Sequence, residues 1–164
     1  MLRDKSLIPL SRQHQHALAL CVRIERALPI QPSDLSAWLT ETEQLFRAEI
    51  TIHFGAEEQV LFPAAQKFPE LGPLLEELLR DHADLRHTFA NAADQTLSAE
   101  GLAEFGRQLS SHIRKEERLL FERLQQLMSG EELALLGENL EEALKGAGQA
   151  CALPAPETRL RPTK

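Results

Sequence analysis

Six histidines and a repeated His-x-x-x-Glu spacing are the parts of this sequence best suited to chemistry. One copy reads Phe46 … His53-Phe54-Gly55-Ala56-Glu57-Glu58-Gln59-Val60-Leu61-Phe62. The other reads Phe105 … His112-Ile113-Arg114-Lys115-Glu116-Glu117-Arg118-Leu119-Leu120-Phe121. Phe, His, both Glu, Leu and Phe recur at a constant offset of 59. A weaker match, at an offset of 68, pairs Leu10-Ser11-Arg12-Gln13-His14 with Leu78-Leu79-Arg80-Asp81-His82. The chain reads as a duplicated helical hairpin. Each half supplies one lone His and then one His-x-x-x-Glu.

Residues i and i+4 share one face of a helix, a turn apart. His53 with Glu57, and His112 with Glu116, therefore each aim an imidazole nitrogen and a carboxylate in one direction. Such a pair can grip a metal ion. The converging set is His14, His53, Glu57, His82, His112 and Glu116. Four imidazoles and two carboxylates suit two metal ions, each with two terminal His and with the two Glu as bridges. Mixed nitrogen and oxygen ligation suits iron, and manganese or zinc also fit. Buried carboxylates are costly without a counter-charge, which metal cations supply.

The elements that position this set are helical. Leu, Ala, Glu, Gln and Arg dominate, all good helix formers, and no stretch alternates apolar and polar residues as a strand would. A first helix is expected over 11–28, stopped by Pro29 and Pro32. A second starts at Ser33 or Asp34, and Pro63 should kink or end it. A third covers 73–95. A fourth runs from Ser98 through Leu127. A shorter fifth carries Leu133, Leu136, Leu140 and Leu144 on one face and closes at Gly146 and Gly148. The prediction is an all-α fold: an up-down-up-down antiparallel four-helix bundle plus a short C-terminal helix, over residues 1–150. Residues 151–164 form a flexible tail. The fifth helix is expected to pack on the bundle, the alternative being a dimer surface, so monomer and homodimer both stand. One length does not match. His14 to Leu28 spans fourteen residues, but Ser33 to His53 spans twenty. The excess of six is ~9 Å of helix, to be absorbed by an irregular connection after Pro29.

Composition narrows the function. The 164 residues carry 18 Lys+Arg against 25 Asp+Glu, a net charge of −7. With no basic stretch, nucleic acid and anionic membranes are poor partners. No apolar run reaches the ~20 residues that span a bilayer, and no signal-peptide core is seen. The two cysteines, Cys21 and Cys151, make no CxxC pair. The expectation is a cytoplasmic protein. The absence of Tyr excludes a tyrosyl radical. The ferritin-like Glu-x-x-His order is missing, since Ser11, Ile50, Leu79 and Leu109 stand three residues before the candidate His. There is no HExxH, P-loop or GxSxG.

The lone His of the first helix, the HFGAEEQVLFP segment, the RDH of the third helix and HIRKEE of the fourth resemble the hemerythrin-like (HHE cation-binding) family. The resemblance covers residues ~10–128. It implies a four-helix bundle with two iron ions (Fe2+/Fe3+) under an oxo or hydroxo bridge and two carboxylates. It also implies binding of, or reaction with, a small diatomic molecule or peroxide: dioxygen, nitric oxide or hydrogen peroxide. The implied ligands are the same six residues. Oxygen-carrying hemerythrins have a fifth His, and Arg86 stands at that position. They place the fourth-helix carboxylate where this chain has Glu117, but the internal repeat favours Glu116. Sensing, iron or oxygen handling, stress defence or weak oxidoreductase activity is then expected over reversible oxygen carriage. A non-catalytic helical interaction module and a redox-silent zinc or manganese bundle are the alternatives. His16 and His87 read as surface residues, and His16 competes with His14 for the first ligand place. Glu58 and Glu117 read as solvated, the alternatives being an open metal position or acceptance of a hydrogen bond from a ligating His. Arg12, Arg80 and Arg86 read as surface charge. Phe54, Phe62, Phe105 and Phe121 are expected to wall the site, Trp38 to pack, and Cys21 to be a buried apolar residue.

Overall fold

A computed structural model describes residues 2–145, and every described element is helical. The expected closing glycines Gly146 and Gly148, Cys151 and the tail 151–164 lie outside the described residues. A 3-10 turn, Lys5–Leu7, leads into α1, Ile8–Ala27. Helix α2 covers residues 32–65, α3 is Gly72–Ala93, α4 covers residues 99–127, and α5 is Gly130–Ala143. The first four form the antiparallel bundle, with α1 packed chiefly on α4 and α2 on α3. No described helix is long and apolar enough to cross a membrane.

Local chemistry sets the helix ends. Helix α1 begins ahead of Ser11 because Pro9 sits in its first turn, where a missing N–H costs nothing. The Ser98 hydroxyl accepts from the Gly101 N–H and starts α4. Ser129 and Glu132 form a reciprocal capping box that starts α5. Pro63 does not end α2. It follows a π turn, Glu57–Leu61, in which the Phe62 N–H bonds to the Glu57 carbonyl, and the helix continues through Phe62–Ala65. The wider turn relieves the clash a proline ring makes with the preceding turn. An equivalent π turn, Glu116–Leu120, occurs in α4 without any proline. Pro63 is thus tolerated by the π turn and is not its cause. A third π turn, Phe46–Ile50, precedes Thr51–Ala56.

The connection between α1 and α2 is irregular, with extended backbone at its two ends. Leu28 has ψ 139 and Gln31 ψ 142. These four non-helical residues, 28–31, with a bend at Pro29, are the irregular connection between the two helices. The overshooting start of α2 is tied to the α3–α4 turn, where the Ser36 hydroxyl donates to Gln95 Oε1 (2.8 Å).

Two apolar clusters sandwich one polar layer. The first includes Leu10, Leu61, Leu78 and Leu120, and the second includes Ala17, Phe54, Leu85 and Leu109. Each bundle helix places its His, or its His and Glu, between a residue of one cluster and a residue of the other. Helix α5 closes the first cluster: Leu133, Leu136, Leu140 and Leu144 are all buried in it. Its leucine stripe is internal packing. Gly137 lets α5 approach the first turn, since a Cβ there would lie 2.8 Å from Ser6 Cβ. Leu135 points away, 60% exposed. Replacing Leu140 by Ala should lower the unfolding free energy by ~2–5 kcal/mol. Leu135→Ala should change it by less than ~0.5 kcal/mol. Chemical denaturation of the two variants checks the difference.

Candidate metal centre

All six expected residues meet in the polar layer. His14, His53, Glu57, His82, His112 and Glu116 are each buried. Their side-chain atoms form two groups, His14–His53–Glu57–Glu116 and Glu57–His82–His112–Glu116, with the ligand atoms of each group within 4.8 Å of one another. Both carboxylates belong to both groups. His53 Nε2 is 3.1 Å and His82 Nε2 3.3 Å from opposite oxygens of Glu57. His14 Nε2 and His112 Nε2 are 3.1 and 3.4 Å from Glu116 Oε2. The Nε2 atoms of His14 and His53 are 3.0 Å apart. His16 faces outward instead and meets Glu49 (2.9 Å). His87 is exposed.

The outward ring nitrogens are engaged as well. Nδ1 of His14 is 2.7 Å from Glu117 Oε1 and Nδ1 of His82 is 2.7 Å from Glu58 Oε1. Nδ1 of His112 is 3.3 Å from Asp81 Oδ2, and Nδ1 of His53 is 2.8 Å from Gln13 Oε1. Ionised carboxylates only accept, so three rings donate through Nδ1. In their neutral form they aim a bare Nε2 lone pair inward. Glu58 and Glu117 are therefore not simply solvated. Arg86 is more than surface charge, since it donates to Glu58 (2.7 Å). Arg3 donates to Glu117 Oε2 (2.5 Å), and Lys115 to Asp81 (2.8 Å).

Aromatic rings seal the layer. Phe54 stacks on His82 with centroids 3.8 Å apart, Phe62 lies on the same ring at 5.5 Å, and Phe121 stacks on His14 at 5.6 Å. Phe105 packs on Phe89 instead (5.0 Å) and belongs to the second apolar cluster. Trp38 and Cys21 are buried in that cluster too. Burial pushes the Cys21 thiol up to about 11 and keeps it protonated. A surface groove of about 690 Å³ between α1 and α4, lined by Cys21, Arg114 and Leu119, includes none of the six clustered residues.

The electrostatics test what this layer fits. All four oxygens of Glu57 and Glu116, and Nε2 of His82 and His112, are buried without a hydrogen-bond partner. Buried polar atoms are rarely left so. Without a cation, protons must balance the charge. Burial alone would lower the His14 imidazole, but Glu116 and Glu117 outweigh it and raise it to about 10. His82 is likewise raised, burial being outweighed chiefly by Glu57. Burial would raise Glu57, but His53 and His82 hold it well below the usual carboxylate range. Burial would raise Glu117, but its contact with the His14 ring overcomes this and lowers it to about 2. Ions with bonds of ~2 Å place opposing ligand atoms ~4 Å apart, close to the span of each group. The orphaned oxygens and inward nitrogens fit cations.

A family model described as the hemerythrin HHE cation binding domain matches residues 9–124. The chain belongs to that family. The matched span holds all six clustered residues of the hemerythrin domain and ends before α5. Comparison with curated proteins and with solved structures finds no match. Hemerythrin domains of this kind bind metal ions, and the shared buried His/Glu groups are where one could be held.

Sequence reasoning missed Gln13, Asp81, Lys115 and Arg3 around this hemerythrin centre. A signal existed for two of them: Gln13 and Asp81 occupy the same place, one residue before the lone His, in the weaker repeat. Arg3 and Lys115 carried none, because neither has a like counterpart in the repeat.

The raised His14 contributes stability to the metal-free domain fully below its unfolded value of 6.5, and this is lost as pH rises toward 10. The depressed Glu117 contributes above 4.5, and this is lost as pH falls toward 2. Chelator-treated protein should therefore show its highest unfolding midpoint between pH 4.5 and 6.5 and lose stability on either side. Bound metal should flatten the alkaline side, because the imidazoles are then already deprotonated. Thermal unfolding across pH, with and without metal, checks both.

Proposed function

We propose that the domain holds two iron ions, one against His14 and His53 and the other against His82 and His112, with Glu57 and Glu116 shared. The observation that carries this reading is the overlap of two four-residue groups in both carboxylates, whose oxygens have no other partner. Mixed imidazole and carboxylate ligation suits iron. When bound, iron supplies one-electron redox chemistry toward a small ligand such as dioxygen, nitric oxide or peroxide.

The chain's own residues set the conditions. Phe54, Phe62 and Phe121 hold the imidazoles in place and limit water around them. Glu58, Glu117 and Asp81 fix three ring orientations through Nδ1. Arg86, at the place of the oxygen carriers' fifth His, binds Glu58 and lies over Phe54 (5.3 Å). It is an anchor for the His82 support and adds no imidazole. Four imidazoles leave more of the ions' coordination to small ligands than five. The reading is sensing or handling of such a ligand, with weak oxidoreductase activity, in preference to reversible carriage. The α5 leucine stripe is buried within the chain and so does not favour the interaction-module alternative.

Anaerobic ferrous loading should give two irons per chain. Air or peroxide should then produce near-ultraviolet absorption that the metal-free protein lacks. Glu57→Gln combined with Glu116→Gln should keep the helical circular dichroism and lose the iron. A fully helical wild-type protein that takes up no iron overturns the proposal, and uptake of zinc or manganese alone overturns its redox part.

A further inference from the structure

We infer that the two metal positions are unequal in affinity, and that Gln13 makes the His14–His53 position the weaker one. This rests on the two-ion reading above. The internal repeat provides the comparison. In both halves, the Glu that follows the shared Glu accepts from the lone His: Glu58 from His82 and Glu117 from His14, each at 2.7 Å. Likewise, the residue before the lone His meets the ring of the His-x-x-x-Glu helix: Asp81 meets His112 (3.3 Å) and Gln13 meets His53 (2.8 Å). The outer shell keeps the repeat symmetry in geometry and breaks its charge at this one seat.

The seat's surroundings differ as well, and Lys115 offsets part of the Asp81 charge. Lys115 pairs with Asp81 at 2.8 Å. Its counterpart in the repeat, at the offset of 59, is Ala56, which is buried and uncharged. Glu49, the remaining buried acid among the described residues, meets His16 rather than His53. His53 is thus the one clustered imidazole whose outer partner carries no charge.

The consequence follows from ligand basicity. A carboxylate accepting from Nδ1–H draws the proton toward itself and makes Nε2 a stronger donor to a metal. Charge-assisted bonds are roughly twice as strong as neutral ones, so an amide oxygen does this less. The His82–His112 position has two such carboxylate supports and the His14–His53 position has one. Changing a partner of this kind typically alters metal affinity ~10–100-fold. Gln13 is a positioning residue acting through His53. At limiting metal the His82–His112 position should fill first.

The test uses the full chain crystallised with one equivalent of cobalt(II), with anomalous difference density read at each position. Wild type should show cobalt mainly between His82 and His112, in a ratio of ~10 or more. Gln13→Glu should raise occupancy at the His14–His53 position toward equality. Asp81→Asn should reach near equality from the other side, by weakening the His82–His112 position. It needs no new charge in the layer, so it serves if Gln13→Glu fails to fold. Equal occupancy in wild type, preference for the His14–His53 position, or ratios that neither variant moves would overturn the inference and leave the two-ion reading standing. Cobalt at neither position, with two equivalents supplied, would remove both.

Discussion

Two fully buried glutamates whose four oxygens face imidazole nitrogens without a well-formed hydrogen bond are the constraint on which this structure turns. A bundle of this size could be built with leucine across its middle. Replacing buried charge by well-packed apolar residues is often neutral or stabilising. Here the polar layer interrupts the apolar packing, and the clusters on both sides hold it at one level. Its charge must be balanced either by protons on the imidazoles or by cations. The raised His14 and the lowered Glu57 are the proton solution. It is also the state that cations displace.

The π turns show how backbone and layer fit together. They begin at Glu57 and at Glu116, the same place in each half. Each inserts one residue beyond regular α-helical pitch just after the shared carboxylate. Phe62 and Phe121 follow these turns directly, and each lies nearly parallel to the lone His of the opposite half, at 25° and 16°. The wider turn thus connects the carboxylate to the ring that covers its imidazole neighbour.

How much of this was legible in the sequence depended on periodicity. The bundle, the start of its fourth helix at Ser98 and all six clustered residues were legible from helical spacing, turn residues and the internal repeat, whereas the capping role of Ser129 was not. Choosing His14 over His16 came from alignment with His82, and the structure turns His14 inward. The helix through Pro63 was not legible, because the π turn leaves no residue signature that distinguishes it from a proline break. The roles of Glu58 and Glu117 were seen only as alternatives, since a second acid beside a ligand reads as a solvated face until its neighbour across the bundle is known. Arg3 lay beyond reach, because its partner Glu117 is 114 residues away.

That last contact has a consequence for when the centre can form. Arg3 bonds the carboxylate and the carbonyl of Glu117, bonds Gln125 and lies over Phe121 (5.0 Å). The support of His14 is thus assembled from the beginning of the described chain and from its fourth helix. Glu116, shared by both groups, also comes from that helix. While the chain is being synthesised, the first hairpin emerges with His14, His53 and Glu57 but without Glu116 or the latch over His14. Closing so long a loop is a late and slow event in folding. On its first hairpin alone the chain carries only half of the clustered residues, and the other half comes with the third and fourth helices. The centre is thus a property of the whole bundle and of no single hairpin within it.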